Sequence, residues 1–236
     1  MPTLIAIETS TENCSAALMR NGAVIEHSET APRRHAELIL PMIESLLNEA
    51  GLLRRDLDAI AVGRGPGAFT GVRLAISVAQ GIALGLDIPV VPISSLAALA
   101  QDTPAQIGEP ILATIDARMG EVYAGVFHRN AEGLVDSIGA ESVGPASMVL
   151  VPKSTSGKSD QWLVVGTGWG VYQDALARRL PGSPRWADGG LYPQARAVAV
   201  LAAPLFASGH SLAPEFALPV YLRDKVALTL DEQRAR

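Results

Sequence analysis

Residues 63–73 read GRGPGAFTGVR, and their types and spacing are those of a loop that could hold an anion. Glycine permits close approach of backbone to a ligand. The unpaired N–H groups at a helix start favour negative charge. An apolar run over residues 59–63 leads in, and a helical pattern beginning at Thr70 leads out. Neither common cradle is present. A Walker A loop needs G-x-x-x-x-G-K-[ST], but Gly67 and Gly71 lie too close together and no Lys-Ser/Thr follows. The dinucleotide pattern G-x-G-x-x-G fails at Thr70. The alternative is a tight strand-to-helix turn that binds nothing, with Thr70 as helix cap and Arg73 in the first turn. The residues leave both readings open.

Other chemistry has less support. The histidines are His27, His35, His128 and His210, and none pairs with another at metal-ligand spacing. Cys14 is the single cysteine and sits in a strand-like run, so no metal site is expected and no internal disulfide can form. No G-x-S-x-G elbow occurs. Ser10, Ser15 and Ser94 have structural explanations in turns and caps.

The elements that would position these residues occur twice. Residues 4–28 give an apolar run ending in Glu8, a polar turn, a second run, the hairpin signal Asn21-Gly22 and a third run. Residues 111–137 repeat that order, with Asp116 in the place of Glu8. A second match supports the first: AIAVGRGPGAFTG and WLVVGTGWGVYQDAL each run from an apolar strand through glycines into a helix, so Gly166 answers Gly63. The spacing predicts a duplicated α/β unit, a mixed sheet flanked by helices. The units are residues 1–105 and 106–236, with a linker over 102–110. One helix is expected over residues 34–50, with Pro41 kinking it or delaying its start. A second is expected from Thr70 to about Leu84, a third after a Ser94 or Ser95 cap, and another within 191–208. Residues 139–160 are loop-rich, with 153–160 expected as a mobile surface segment. The apolar C-terminal stretch ALPVYLRDKVALT is expected to pack back on the body.

The chain has 236 residues, 48% of them hydrophobic and 18% charged, enough for a substantial core. Its formal net charge of −5 argues against gripping nucleic acid unaided. No signal peptide is expected at the start and no apolar run long enough to span a bilayer, so the reading is a soluble cytoplasmic protein. The second helix adds a clue. Gly71, Ala75, Ala79 and Ala83 recur at i, i+4, Gly81 and Gly85 form a second small pair, and Val72, Ile76 and Ile82 are apolar. Such a helix is either buried in its own domain or closely approached by a helix of another protein.

The stretches PRRHAELILPMI, GRGPGAFTGVRLAI, IDARMGEVYAGVF, VGTGW and LPVYLRDKVA run across nearly the whole chain. In that order they resemble the TsaB (YeaZ) family of the actin-like ATPase superfamily. The resemblance implies a duplicated actin-like (ribonuclease H-like) fold and a part in making threonylcarbamoyladenosine beside the tRNA anticodon. It implies a non-catalytic scaffolding subunit that pairs with a larger paralogue, TsaD, which carries the chemistry. TsaE, an ATPase, joins the pair, and TsaC supplies threonylcarbamoyl-adenylate; tRNA would be met only indirectly. The paralogue's metal-binding His-x-x-x-His is replaced here by Ser95 and Leu99 within ISSLAAL.

By the same resemblance, nucleotide contacts would fall on Glu8, Ser10, Thr11, Gly65, Gly67, Thr70, Gly71 and Asp116, with ATP or ADP and Mg2+ at the subunit interface. The partner face would use His35, Leu38, Ile39, Met42, Arg73, Ile76, Ala79, Gln80 and Ala83. Ala79→Arg is then expected to break the pair without unfolding the chain, and the isolated chain is expected to self-associate. The alternative is a stand-alone ATP-dependent phosphotransferase or hydrolase using Glu8, Asp116 and the glycine loop; weaker still is a peptidase acting on its paralogue. In this family pattern Glu8 stands where many relatives have Asp, and Ala68 where many have Ser. Arg118 and Glu121 either pair locally or face the cleft.

Overall fold

A computed structural model describes residues 2–152 and 161–223. The surface segment expected over 153–160, and the end of the C-terminal stretch beyond 223, lie outside the described residues.

The first sheet has the order β3-β2-β1-β4-β5. Its strands are β1 (Leu4–Glu8), β2 (Asn13–Arg20), β3 (Ala23–Thr30), β4 (Ala59–Gly63) and β5 (Val90–Ile93). The first three are antiparallel neighbours, while β4 and β5 run parallel to β1. Asn21 and Gly22 both take positive φ, as their hairpin requires. The second sheet has the order β11-β10-β6-β7-β8. It comprises β6 (Pro110–Arg118), β7 (Glu121–Arg129), β8 (Val135–Ser137), β10 (Leu163–Val165) and β11 (Trp186–Asp188), with β9 (Ser142–Pro145) on the other end of β7. The antiparallel and parallel pairings repeat those of the first sheet. The duplication read from Glu8/Asp116 and Gly63/Gly166 is therefore a duplication of topology.

Among the described residues, five α-helices complete the layers: α1 (His35–Glu49), α2 (Phe69–Leu86), α3 (Ser95–Gln101), α4 (Thr167–Ala177) and α5 (Ala195–Ala207). α1 runs through Pro41 as one helix, and Ser94 caps α3 by accepting from the Ala97 N–H at 3.1 Å. Strand alternation divides the core. Ile5 and Ile7 of β1 pack outward against α1 and α2, while Leu4 and Ala6 face inward. The inward core also takes Ile111 and Ala113 of β6, Leu163 and Val165 of β10, and the buried faces of α3 and α5. The order is α1/α2, first sheet, α3/α5, second sheet, α4.

The middle layer joins the two repeats. α3 belongs to the first repeat but packs on β6, β7 and β8 of the second sheet; α5 belongs to the second repeat but packs on β1, β2 and β4 of the first. Each repeat lends its last helix to the other, so residues 1–105 and 106–236 share one core. Burial of the apolar inward face of α5 drives this exchange: Ala195, Ala197, Val198, Ala199 and Ala202 are almost fully buried.

α2 is long and apolar enough, by length and composition alone, to cross a bilayer, contrary to the expectation above. In the fold it is a sheet-packing helix: Ala75, Ile76, Ala79 and Ala83 are buried against the first sheet. Its start also differs from expectation. Ala68 is the N-cap and makes no side-chain cap, while Thr70 lies exposed inside the first turn.

The glycines of α2 have opposite environments. A Cβ on Gly71 would lie 2.0 Å from the Thr9 carbonyl oxygen, whereas one on Gly81 would meet nothing within 4 Å. Gly71→Ala is expected to cost about 3 kcal/mol through overpacking, and Gly81→Ala to gain up to about 1 kcal/mol from helix propensity. Urea unfolding of the two variants measures both signs.

Candidate functional site

The glycine loop cradles the protein's own backbone. Ala68 N–H donates to the Ser10 carbonyl at 2.7 Å, and Thr9 Oγ1 donates to the Gly71 carbonyl at 2.7 Å. A Cβ on Gly67 would lie 2.3 Å from the Ser10 oxygen, and one on Gly63 would lie 2.0 Å from Glu8 Oε2. Gly63, Gly67 and Gly71 are thus required by the close approach of residues 8–10. The second repeat uses the same device: a Cβ on Gly166 would lie 2.2 Å from the Thr114 oxygen.

A cleft of about 240 Å3 opens beside this loop, between the two sheets. It gathers Ser10, Thr11, Gly67 and Asp116 from the expected set, together with Glu12, Phe69, Arg118, Tyr123, Tyr221 and Arg223. Glu8, Gly65, Thr70 and Gly71 do not line it. Glu8 is fully buried; its Oε1 accepts from the Ser10 N–H and its Oε2 from Ser95 Oγ, both at 2.7 Å. Burial raises its carboxyl above the ordinary 4.5, and the hydrogen bonds from Ser10 and Ser95 offset this only in part. Asp116 is engaged on both oxygens. Oδ1 accepts from the Arg118 N–H at 2.8 Å and Tyr172 OH at 3.2 Å, and Oδ2 pairs with Arg118 Nη1 at 2.9 Å.

These acids do not fit a magnesium–nucleotide complex. Glu8 is sealed in the core with its two oxygens held by Ser10 and Ser95 and does not line the cleft, and Asp116 has both oxygens engaged by Arg118 and Tyr172. The phosphotransferase reading loses its two key residues on that chemistry. Nor do Arg118 and Glu121 pair with each other. Arg118 bridges Asp116 to Glu12, at 2.9 and 2.6 Å, and Glu121 pairs with Arg223.

The expected partner face is also redrawn. Ile39, Ile76, Ala79 and Ala83 point into the core of the first sheet and are at most 3% exposed. Their small or apolar side chains bring α1 and α2 down onto their own sheet, so Ala79→Arg would break the core. His35 Nε2 lies 2.9 Å from the Thr11 carbonyl, and Gln80 donates to the carbonyls of Pro214 and Ala217. Arg73 stacks over Phe69, its Cζ 3.6 Å from the ring centroid. Leu38 and Met42 are half-buried at the side of α1 facing β3.

What α1 and α2 present outward is a different set. Leu40 and Leu84 are 52% and 62% exposed, and Ser77, Gly81 and Gly85 form an exposed stripe at i, i+4, i+8. A groove of about 490 Å3 runs between the helices, lined by Leu40, Ile43, Leu47, Gly81, Ile82 and Gly85, with Glu44 and Arg54 at its edge. Among the described residues, nothing lies within 4 Å of a Cβ placed on Gly81 or Gly85.

Two sheets of matching order with exchanged helices and a cleft at their strand ends define a duplicated actin-like α/β protein. A family model described as "TsaD: tRNA N6-adenosine threonylcarbamoyltransferase" matches residues 23–229. The tRNA threonylcarbamoyladenosine biosynthesis protein TsaB of Escherichia coli (strain K12) is 41% identical over 95% of this chain and 96% of its own. The protein of the same name from Haemophilus influenzae is 38% identical over 95% of this chain and 94% of its own. The solved structure of YeaZ from Pseudomonas aeruginosa covers 94% of this chain and 100% of its own with a TM-score of 0.84 at 45% identity. The chain belongs to the TsaB (YeaZ) family, whose members named here are tRNA threonylcarbamoyladenosine biosynthesis proteins.

Glu8 carries a pH prediction. Below about 4.5 its carboxyl is protonated both folded and unfolded. As pH rises the unfolded carboxyl ionises first, so Glu8 draws stability down until its raised folded value is passed. Glu8→Gln keeps the shape without the charge. It is expected to be at least as stable as the parent at pH 8, with the difference closing toward pH 4. Thermal melts across that range test this, and a variant melting well below the parent at pH 8 contradicts it.

Proposed function

We propose that this chain is the scaffolding and activating subunit for threonylcarbamoyl transfer to the tRNA adenosine beside the anticodon. It works in the cytoplasm by lending the outer α1/α2 face to a TsaD paralogue that holds the reactive groups. The pair in turn recruits the TsaE ATPase, and TsaC supplies the activated threonylcarbamoyl group. Acceleration comes from fixing the geometry of groups on the partner, where small misplacements are costly.

The observation that carries this reading is the open groove of the outer face. On the exposed face of α2, Gly81 in the helix interior costs about 1 kcal/mol relative to alanine, and Gly85, in the last turn, adds to that cost. Among the described residues, nothing lies within 4 Å of a Cβ placed on either. A second helix packing across Ser77, Gly81 and Gly85 would require them, because the backbones could then approach closely. Leu40 and Leu84 flank the stripe with apolar surface of the kind found at the centre of protein interfaces. The withdrawal of Glu8 from the cleft and the neutralisation of Asp116 support a role without chemistry of its own.

Gly81→Arg places a long charged side chain on this face without touching the core. It is expected to weaken pairing with TsaD at least roughly 30-fold, to abolish self-association of the isolated chain, and to abolish support of tRNA modification in a reconstituted system. Its melting temperature should match or exceed the parent's. Glu132→Arg, on an exposed turn of the second sheet, is the control. Undiminished co-purification of Gly81→Arg with TsaD contradicts the reading.

A further inference from the structure

The segment after α5 crosses the molecule. Leu212 exchanges hydrogen bonds with Val90 at the free edge of β5, at 2.8 and 2.9 Å. Residues 214–216 form a short helical turn on the flank of α2, where Gln80 donates to the Pro214 and Ala217 carbonyls at 3.0 and 3.2 Å. Ala217 is fully buried in the outer core of the first sheet, so the root of the segment is fixed. Beyond it the chain leaves the core, and Leu218 and Tyr221 are 63% and 49% exposed.

Residues 220–223 then line the cleft. They are held at both ends by polar contacts. On the first-sheet side, Val220 N–H donates to the Arg64 carbonyl at 2.9 Å, and Arg73 Nε donates to Tyr221 OH at 2.6 Å. The Tyr221 ring lies 5.7 Å from Phe69, centroid to centroid, and Arg73 stacks on both. On the second-sheet side, Arg223 Nη2 donates to the Ala117 carbonyl at 3.0 Å and pairs with Glu121. One strap therefore spans from the glycine loop to the β6–β7 hairpin.

We infer that residues 218–223 form an intramolecular lid, hinged at the buried Ala217 and latched by Arg223, whose release opens the cleft. The arrangement has the two properties a lid needs. Its root is anchored by apolar burial, which resists local opening. Its tip is held by a few polar and ring contacts, part-buried at Arg223 and exposed at Tyr221, which a local fluctuation can break without disturbing either sheet. The hairpin it latches onto is itself set apart: Arg118, Met119 and Gly120 all take positive φ, an uncommon state for the first two. Access to Thr11, Gly67 and Asp116 is thereby controlled from the C-terminal side of the chain. This inference concerns the isolated chain and stands independently of pairing with TsaD.

The test places a thiol in the cleft. Thr11 lines the cleft and is 6% exposed, so Thr11→Cys reports on access. The native Cys14 is buried, with its thiol pushed up to about 11 chiefly by burial, and serves as an internal reporter of global opening. Labelling with an aromatic disulfide is followed for Thr11→Cys alone and combined with Arg223→Ala or Tyr221→Ala. Both combinations are expected to label at position 11 at least about tenfold faster than Thr11→Cys alone, while Cys14 labels at the parental rate. Rates at position 11 within twofold of Thr11→Cys alone in both combinations overturn the lid. So does acceleration at position 11 matched by equal acceleration at Cys14, since that reports unfolding of the whole chain.

Discussion

The close approach of residues 8–10 to the start of α2 is the contact on which the rest of the molecule depends. The Thr9 carbonyl oxygen would lie 2.0 Å from a Cβ on Gly71, and the Ser10 oxygen 2.3 Å from one on Gly67. Only glycine admits that geometry. The contact drops the helix start onto the end of β1, with residues 8–10 packed directly against the loop backbone. It also fixes the rotation of α2 about its own axis. Ala75, Ala79 and Ala83 then turn to the sheet, and Ser77, Gly81 and Leu84 turn away from it. A loop that looks like a ligand cradle thus acts as the bearing that presents a helix face.

The exchange of α3 and α5 gives this arrangement its rigidity. Because each repeat covers the other's sheet, the inward core is continuous, and separating the repeats would expose apolar surface on both. The polar contacts across the cleft, Arg118 with Glu12 and Arg223 with Glu121, lie at its mouth and are partly exposed. Surface ion pairs contribute little to stability. They are suited to local closure, while the shared core holds the body together.

The sequence made the duplication legible because topology was written in local signals: strand-like runs, the Asn21-Gly22 turn and two glycine segments at matching positions. α1, α2 and α5 were legible for the same reason, and Ser94 served as a cap as its type predicts. The helix exchange was not legible, since the pattern shows that α5 has an apolar face without showing which sheet receives it. For the small-residue stripe of α2 both burial and a partner face were open, and the structure buries Ala75, Ala79 and Ala83 against the first sheet. Periodicity identified two stripes on α2, at Gly71/Ala75/Ala79/Ala83 and at Gly81/Gly85, and could not tell inward from outward. Half of the expected nucleotide set reached the cleft, whereas Glu8 went into the core. Tyr221 and Arg223 were missed, although the apolar C-terminal stretch was expected to pack back. Their contacts join residues roughly a hundred positions or more apart, which no local pattern records.

The central claim is that the outer α1/α2 surface is completed by TsaD. Hydrogen–deuterium exchange of this chain, measured alone and with TsaD in excess, addresses it directly. The account predicts new protection concentrated on residues 36–48 of α1 and 73–86 of α2, with the backbone of the second sheet unchanged. A stable complex that leaves both helices as they exchange in the free chain, with protection appearing elsewhere, would contradict it.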